Sequence, residues 1–193
     1  MSGAAAEAAG QIYVALLRGI NVGGKNRLPM RALVEALSAA GFRRVQSYIQ
    51  SGNLVFEAGA DQEAALPARL SELIATRFGL EVPVVVFAAP ALRALVSRNP
   101  YLSGELRDPS RLLVAFLAEQ PSPEALARLD PARSPPDRFT AHGRAIFLEC
   151  PEGFGRSKLT TAYFDSKLQT QSTIRNWKTT LRLLELCEAA LCP

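Results

Sequence analysis

Gly19, Gly24, Lys25 and Asn26 stand in the run GINVGGKN, which follows the apolar stretch YVALL and falls one residue short of the phosphate-cradling pattern G-x-x-x-x-G-K-[ST]. In that pattern the amides of a glycine-rich turn and the lysine ammonium hold phosphate oxygens, while the hydroxyl holds magnesium. Here Asn26 takes the hydroxyl position, and Pro29 is the first residue able to open the next helix. That is about a turn too late for the helix's first amides to face a phosphate. A nucleotide hydrolase also needs an acidic residue at a strand end to hold magnesium. VVVFAAP has none, and LLVAFLAEQ offers only Glu119, two positions late. The spacing excludes a Walker-type hydrolase. It leaves a loop that can present bare amides between Arg18 and Lys25, either to an anion or as a tight crossover.

Two later segments carry related chemistry. In PEGFGRSKLT, Gly153 and Gly155 lead into Ser157, a good N-cap, so Gly155, Arg156, Ser157 and Lys158 are expected at a helix amino terminus where anions bind. In STIRNWKTT a helix is expected from about Thr173, capped by Ser172 or Thr173, with Arg175 and Lys178 in its first turns. Cations there oppose the helix dipole by about 0.3–1 kcal/mol each, and Arg31 does the same after Pro29. Solvation accounts for any one of these charges, whereas one anion shared between two helix starts accounts for them together. Of the 22 basic residues only Lys25, Lys158, Lys167 and Lys178 are lysines, so all four lie in or near these segments. An arginine-biased composition explains this as simply as a need for compact ammonium groups does.

Catalytic constellations are poorly represented. The single histidine, His142, is expected at a hairpin tip, which leaves no Ser-His-Asp arrangement. Cys150 borders the second glycine-rich loop, where a low-pKa thiolate beside Arg156 is one option. Inert packing is the expectation for it and for Cys187 and Cys192. Asp165 and Glu152 show no paired-carboxylate spacing. With one histidine and three cysteines a metal site is not expected, no cofactor is implied, and no reaction is specified.

A net charge of +4 and a pI near 9.2 suit an anionic partner without requiring one. Aromatic content of 7% is thin for stacking the bases of single-stranded nucleic acid. No run reaches the roughly 18 apolar residues of a membrane span, and MSGAAAEAAGQ lacks a secretory signal's basic flank and apolar core. A cytoplasmic protein with no membrane partner is expected.

The elements that must position these loops follow from periodicity. Residues 1–11 read as an Ala-rich tail. Ile12–Leu17 is a strand apolar enough to be buried on both faces. A helix from Pro29 to Gly41 sets Met30, Leu33, Leu37 and Ala40 on one stripe. Val45–Gln50 and Asn53–Phe56 form a hairpin about Ser51-Gly52. A helix over Pro67–Phe78 turns Leu66, Leu70, Leu73 and Ile74 inward and stops at Gly79. Val82–Phe87 closes a β-α-β-β-α-β unit over residues 12–88, the ferredoxin-like order. Residues 89–193 read as a second small α+β subdomain: a helix from Pro90 to Arg98, a strand Leu112–Ala118, and a helix from Ser122-Pro123 through Leu129. A hairpin of Arg138–Ala141 and Arg144–Glu149 comes next. Two helices, Ser157–Leu168 and Thr173–Leu191, end the chain, the last with Ile174, Trp177, Leu181, Leu184, Cys187 and Leu191 as its stripe. The fold class is α+β, and no internal repeat is evident.

With these residues in view, the chain resembles an uncharacterised bacterial family, the "domain of unknown function 1697" family. YVALLRGINVGGKNRLPM, YIQSGNLVF, GLEVPVVV, PEGFGRSKLT and RNWKTTLRLLEL occur in the family's order through residues 13–186. The resemblance implies an α+β fold of two small subdomains and carries no catalytic roles. Its signature concentrates in polar, Gly-rich loops. The expected ligand set is Arg18, Asn21, Gly23, Gly24, Lys25, Asn26, Ser51, Asn53, Gly155, Arg156, Ser157, Lys158, Arg175 and Asn176, binding a phosphorylated or otherwise anionic molecule, with a nucleotide or nucleic-acid segment as options. The alternatives are a non-catalytic interaction module whose polar loops are structural, and an enzyme acting on a phosphate-bearing substrate.

Overall fold

The chain runs twice through the same order of elements. In the computed structural model, which describes residues 10–102 and 108–191, the first pass is β1 (Gly10–Leu17), α1 (Met30–Ala39), β2 (Arg43–Tyr48), β3 (Asn53–Gly59), α2 (Leu66–Phe78), β4 (Val84–Ala88) and α3 (Ala89–Val96). The second is β5 (Leu112–Leu117), α4 (Pro123–Leu126), β6 (Arg138–His142), β7 (Ala145–Glu149), α5 (Thr161–Leu168), β8 (Ser172–Asn176) and α6 (Trp177–Leu191). The two antiparallel sheets have matching strand orders, β2-β3-β1-β4 and β6-β7-β5-β8. The repeat that the residues do not show is therefore present in the topology. One compact unit comprises residues up to Leu92 together with those from Glu185 onward, and the other spans Arg93–Leu184.

In the first unit the expected β-α-β-β-α-β order is the observed one. β1 lies inside the sheet, paired with β3 and β4. Its alternate residues Tyr13, Ala15 and Leu17 join Leu33, Leu37, Leu70 and Ile74 in the core beneath the helices. Val14 and Leu16, on the other face, are buried too, which is why this strand reads as an unbroken apolar run. Pro29 is the N-cap of α1, one position earlier than a first-turn residue, and Met30, Leu33 and Leu37 face inward. Ala40, expected on that stripe, is exposed because the helix ends at Ala39 and Ala40 serves as the C-cap. α2 stops at Gly79, whose left-handed backbone (φ 66°) lets its N–H bond to the Ala75 carbonyl.

In the second unit Leu113, Ala115 and Leu117 of β5 and Ile146 and Leu148 of β7 pack with Tyr163, Phe164 and Leu168 of α5. Two expectations are corrected here. The helix after Ser122 ends at Leu126, short of Leu129. Residues Ser172–Asn176 form the edge strand β8, paired with β5 from Leu117↔Ser172 to Leu113↔Asn176, and the last helix begins only at Trp177. The buried face of this helix also differs from the expected stripe: Trp177, Leu183 and Cys187 are buried, whereas Leu181 and Leu191 are exposed. Cys150 and Cys187 are buried free thiols, and Cys192 lies outside the described residues, as do residues 1–9 of the Ala-rich stretch. Among the described residues no helix is long and apolar enough to cross a membrane.

Candidate functional site

Three connections meet at one end of the first sheet. Leu17, the last residue of β1, donates its N–H to the Gly52 carbonyl in the β2–β3 turn at 2.7 Å, and Arg18 N–H reaches the Pro83 carbonyl just before β4 at 3.0 Å. The loop from Arg18 to Pro29 therefore leaves β1 beside the 49–52 turn. Asn21 fixes the join: its side-chain amide donates to the carbonyls of Leu28 (3.0 Å) and Gln50 (2.8 Å), and its side-chain oxygen accepts the Leu28 N–H at 2.9 Å. Asn26 donates its amide to the Gly19 carbonyl at 2.9 Å. The backbone closes the same neck, with Asn21 N–H to Asn26 O at 3.1 Å and Lys25 N–H to Val22 O at 3.0 Å. The tip, Val22 to Lys25, projects from this neck.

Holding this shape places Gly19, Asn21, Gly23, Gly24 and Asn26 at positive φ, joined across the interface by Ile49 and Gly52. Glycine and asparagine tolerate that region. A β-branched isoleucine at φ 49° does not, at about 1–2 kcal/mol of strain. Gly52 is constrained by space as well: a Cβ there would lie 2.7 Å from Leu17 Cβ and 2.9 Å from Ile20 Cδ1. Gly23 and Gly24 have nothing within 4 Å of such a Cβ, and neither amide donates a hydrogen bond among the described residues. Asn53 is fully buried and ties the turn together, donating to the Tyr48 carbonyl (3.1 Å) and Ser51 Oγ (2.9 Å).

Between loop and turn lies a depression of about 360 Å3 lined by Asn21, Gly24, Arg27, Leu28, Pro29 and Gln50. No acidic side chain lines it. From Gly10 to Phe56 the only acid is Glu35, which pairs with Arg31 at 3.1 Å, so that misplaced helix-start charge is already balanced. Arg43 and Arg44 pair with Glu57 at 2.7 and 3.3 Å. Lys25 and Arg27 are exposed and form no ion pair among the described residues. Lys25 precedes the start of α1 at Met30 by five residues, and its own N–H is bonded to Val22, so the loop does not have the helix-start geometry of a nucleotide hydrolase.

The second glycine-rich loop is built differently. Gly153 N–H closes on the Cys150 carbonyl at 2.9 Å, and Phe154–Arg156 form a single 3-10 turn. Ser157 does not cap a helix: it is extended, and its hydroxyl accepts the Leu159 N–H at 3.1 Å. Thr160 is the cap of α5, accepting the Tyr163 N–H at 3.2 Å. The helix starts late because Lys158 N–H is held by Ser134 Oγ at 3.0 Å and Leu159 is buried in the core, which keeps the backbone extended to Thr160. Arg156 and Lys158 accordingly stand before the helix start. This loop follows β7, whose last residue Glu149 pairs with Leu112 at the beginning of β5, whereas the opening loop follows the end of the equivalent strand β1. The two loops belong to different units and occupy different places in the repeated topology.

The remaining expected residues have structural partners. Cys150 is buried, and its thiol is pushed up to about 11, first by burial and then by the Asp137 carboxylate, with the Ser157 hydroxyl pulling weakly the other way. A low-pKa thiolate beside Arg156 is therefore overturned: the charged group it senses most is an anion. Asp137 is itself buried and accepts from Ser134 Oγ at 2.8 Å. Arg175 lies in β8, not in a helix turn. It is buried and donates to Thr173 Oγ1 (2.8 Å) and the Ile174 carbonyl (3.0 Å), and burial brings its guanidinium down to about 10. Asn176 caps α6 by accepting the Thr179 N–H at 2.7 Å, with Lys178 exposed in the first turn. His142 is exposed at the end of β6 with Nε2 2.5 Å from Arg98 Nη1. Because a guanidinium only donates, Nε2 accepts.

Of the expected set, Arg18, Asn21, Gly23, Gly24, Lys25, Asn26, Ser51 and Asn53 gather at one sheet end. Gly155, Arg156, Ser157 and Lys158 share a loop of the other unit, and Arg175 and Asn176 share β8. Sequence reasoning missed Arg27, Leu28, Pro29 and Gln50, which line the depression. Arg27 and Gln50 each adjoin an expected residue, which is the one signal that could have drawn them in.

Residues 11–147 match the family described as "Protein of unknown function (DUF1697)". Among solved structures, a conserved bacterial protein, SP0830 from Streptococcus pneumoniae, is similar at 27% identity and a TM-score of 0.70, with 93% of this chain and 99% of that chain covered. Among curated proteins none matches the chain.

Proposed function

The chain belongs to the DUF1697 family of proteins of unknown function, and we propose from its own geometry that it binds a phosphate-bearing ligand at the depression between the 19–27 loop and the 49–52 turn. What supports this is the concentration of strained and positive-φ backbone in two touching loops, which leaves the Gly23 and Gly24 amides without a partner among the described residues, next to the exposed Lys25 and near Arg27, with no acid lining the depression. Strain of this kind persists only where the surroundings over-determine it, and it clusters at active sites and ligand clamps. Amides and ammonium or guanidinium groups together are what phosphate oxygens accept from. Asn21, Asn26, Ser51 and Asn53 shape the site from within. Lys25, Arg27 and the glycine amides meet the ligand.

A second reading, the interaction module with structural loops, is favoured by those same internal bonds of Asn21, Asn26 and Asn53. Amide chemical shifts under titration with ribose 5-phosphate separate the two. The ligand reading expects Gly23 and Gly24 to shift, and expects a Lys25→Ala, Arg27→Ala double variant to bind at least tenfold more weakly with an unchanged melting temperature. Unmoved Gly23 and Gly24 resonances at millimolar ligand would leave only the structural role.

A further inference from the structure

Two exposed apolar side chains belong to residues next in the chain to those that line the depression. Val22, at the tip of the loop, is 66% exposed, and Ile49, at the head of the turn, is 50% exposed. Their segments are joined: the Asn21 side-chain amide donates to the Gln50 main-chain carbonyl at 2.8 Å, and each aliphatic residue is the chain neighbour of one of those partners. Ile49 is exposed in a backbone conformation that β-branched residues avoid, so neither burial nor local preference accounts for it. Exposed aliphatics singly are ordinary. Two of them, each next in the chain to a lining residue, together with Gln50 and Arg27 of the lining, offer three kinds of contact: apolar surface, a paired donor and acceptor, and positive charge.

We infer that the ligand is a nucleoside phosphate, its base lying against Val22 and Ile49 with an edge read by Gln50, and its phosphate held by Lys25, Arg27 and the Gly23-Gly24 amides. This rests on the phosphate-binding reading above and narrows it. A carboxamide matches the paired donor and acceptor on a purine edge, and aliphatic side chains give a base face an apolar floor. At about 360 Å3 the depression lies within the range of small-molecule sites, of roughly 300–1,000 Å3.

Calorimetry with the full chain compares AMP, ribose 5-phosphate and adenosine on the wild type and on Val22→Ser and Ile49→Gly. The expected result is AMP binding about tenfold or more tightly than ribose 5-phosphate, with both substitutions removing that advantage while leaving the sugar phosphate affinity unchanged. Ile49→Gly also relieves backbone strain, so lost AMP binding in that variant is not a folding defect. Equal affinity for AMP and ribose 5-phosphate would overturn the nucleoside inference and leave phosphate binding standing. Absence of binding by either phosphate would overturn both. Sedimentation with phosphatidylserine vesicles, or self-association, that Val22→Ser abolishes would assign the apolar pair to a membrane or a second copy and overturn the inference as well.

Discussion

Asn21 donates its side-chain amide to the carbonyl of Gln50 across 2.8 Å, joining the loop after β1 to the turn between β2 and β3, residues 29 apart in the chain. The same side chain pairs with both backbone groups of Leu28, as a neighbouring strand would. One asparagine thus replaces the secondary structure that a tight, strained loop cannot form for itself, and its own φ of 54° is one that asparagine tolerates better than most residues do. The loop that carries Lys25 and Arg27 is held to the turn by a residue whose two side-chain N–H groups are both occupied by main-chain carbonyls.

Asn21→Ala removes three hydrogen bonds, leaves the Leu28 N–H without its partner, and puts alanine at positive φ. The expected loss is about 2–3 kcal/mol, read as a fall of roughly 5–10 °C in melting temperature. Asn21→Asp, which keeps the acceptor for Leu28 and loses both donated bonds, should fall between. An Asn21→Ala variant as stable as the wild type would show that the neck is held by backbone bonds alone.

Two glycines of this surface should respond differently. Gly52→Ala meets Leu17 Cβ at 2.7 Å and Ile20 Cδ1 at 2.9 Å at a φ of 78°, so strain and overpacking add to about 3 kcal/mol or more. Gly24→Ala has the same backbone strain at φ 76° but nothing within 4 Å, and should cost about 1–2 kcal/mol. Denaturant midpoints of the two variants test the contrast, and equal midpoints would place the whole requirement in φ.

Sequence reasoning succeeds where the pattern is local and fails where the pairing is not. The apolar run of β1, the stripe of α1 and the stop at Gly79 are written into consecutive residues. β8 is not: Ile174 and Trp177 are three apart, so STIRN continues the helical stripe of α6 without a break. Only its pairing with β5, more than 50 residues away, makes it a strand. Ser157 and Thr160 are both good caps in one stretch. Choosing between them takes the Ser134 hydroxyl, which arrives from the Pro-rich connector. For the candidate site, the glycines, Lys25 and the asparagines are visible in the sequence. The adjacency of Gln50 and Ile49 to them follows from strand order.

Cys150 gives a pH signature with a definite sign. Its thiol is raised to about 11 in the fold by burial and by Asp137, against an ordinary value near 9 in the unfolded chain. A raised group favours the protonated fold, so its contribution is complete below pH 9 and is lost as pH rises from about 9 to 11. The expected difference is on the order of 2 kcal/mol. Unfolding free energies at pH 8 and pH 11 should therefore diverge less in Cys150→Ala than in the wild type, because the substitution removes this titration and leaves the others. At pH 8 the native thiol should also resist iodoacetamide, with peptide mapping locating any modification. Rapid native labelling of Cys150 would contradict the burial.

Asn176 tests where the last helix begins, because the two possible starts predict opposite signs. With α6 starting at Trp177, Asn176 is the N-cap, and its side-chain oxygen accepts the Thr179 N–H at 2.7 Å. Alanine then leaves that N–H without its partner and costs about 1 kcal/mol, whereas aspartate keeps the acceptor and places a negative charge at the positive end of the helix dipole, matching or exceeding wild-type stability. Were the helix to start at Thr173, residue 176 would sit inside it, where alanine is the better helix former by about half a kcal/mol and would stabilise. Melting curves of Asn176→Ala and Asn176→Asp should show the first lowered by roughly 2–4 °C and the second not. The reverse order would return residues 172–176 to the helix and remove β8 from the sheet.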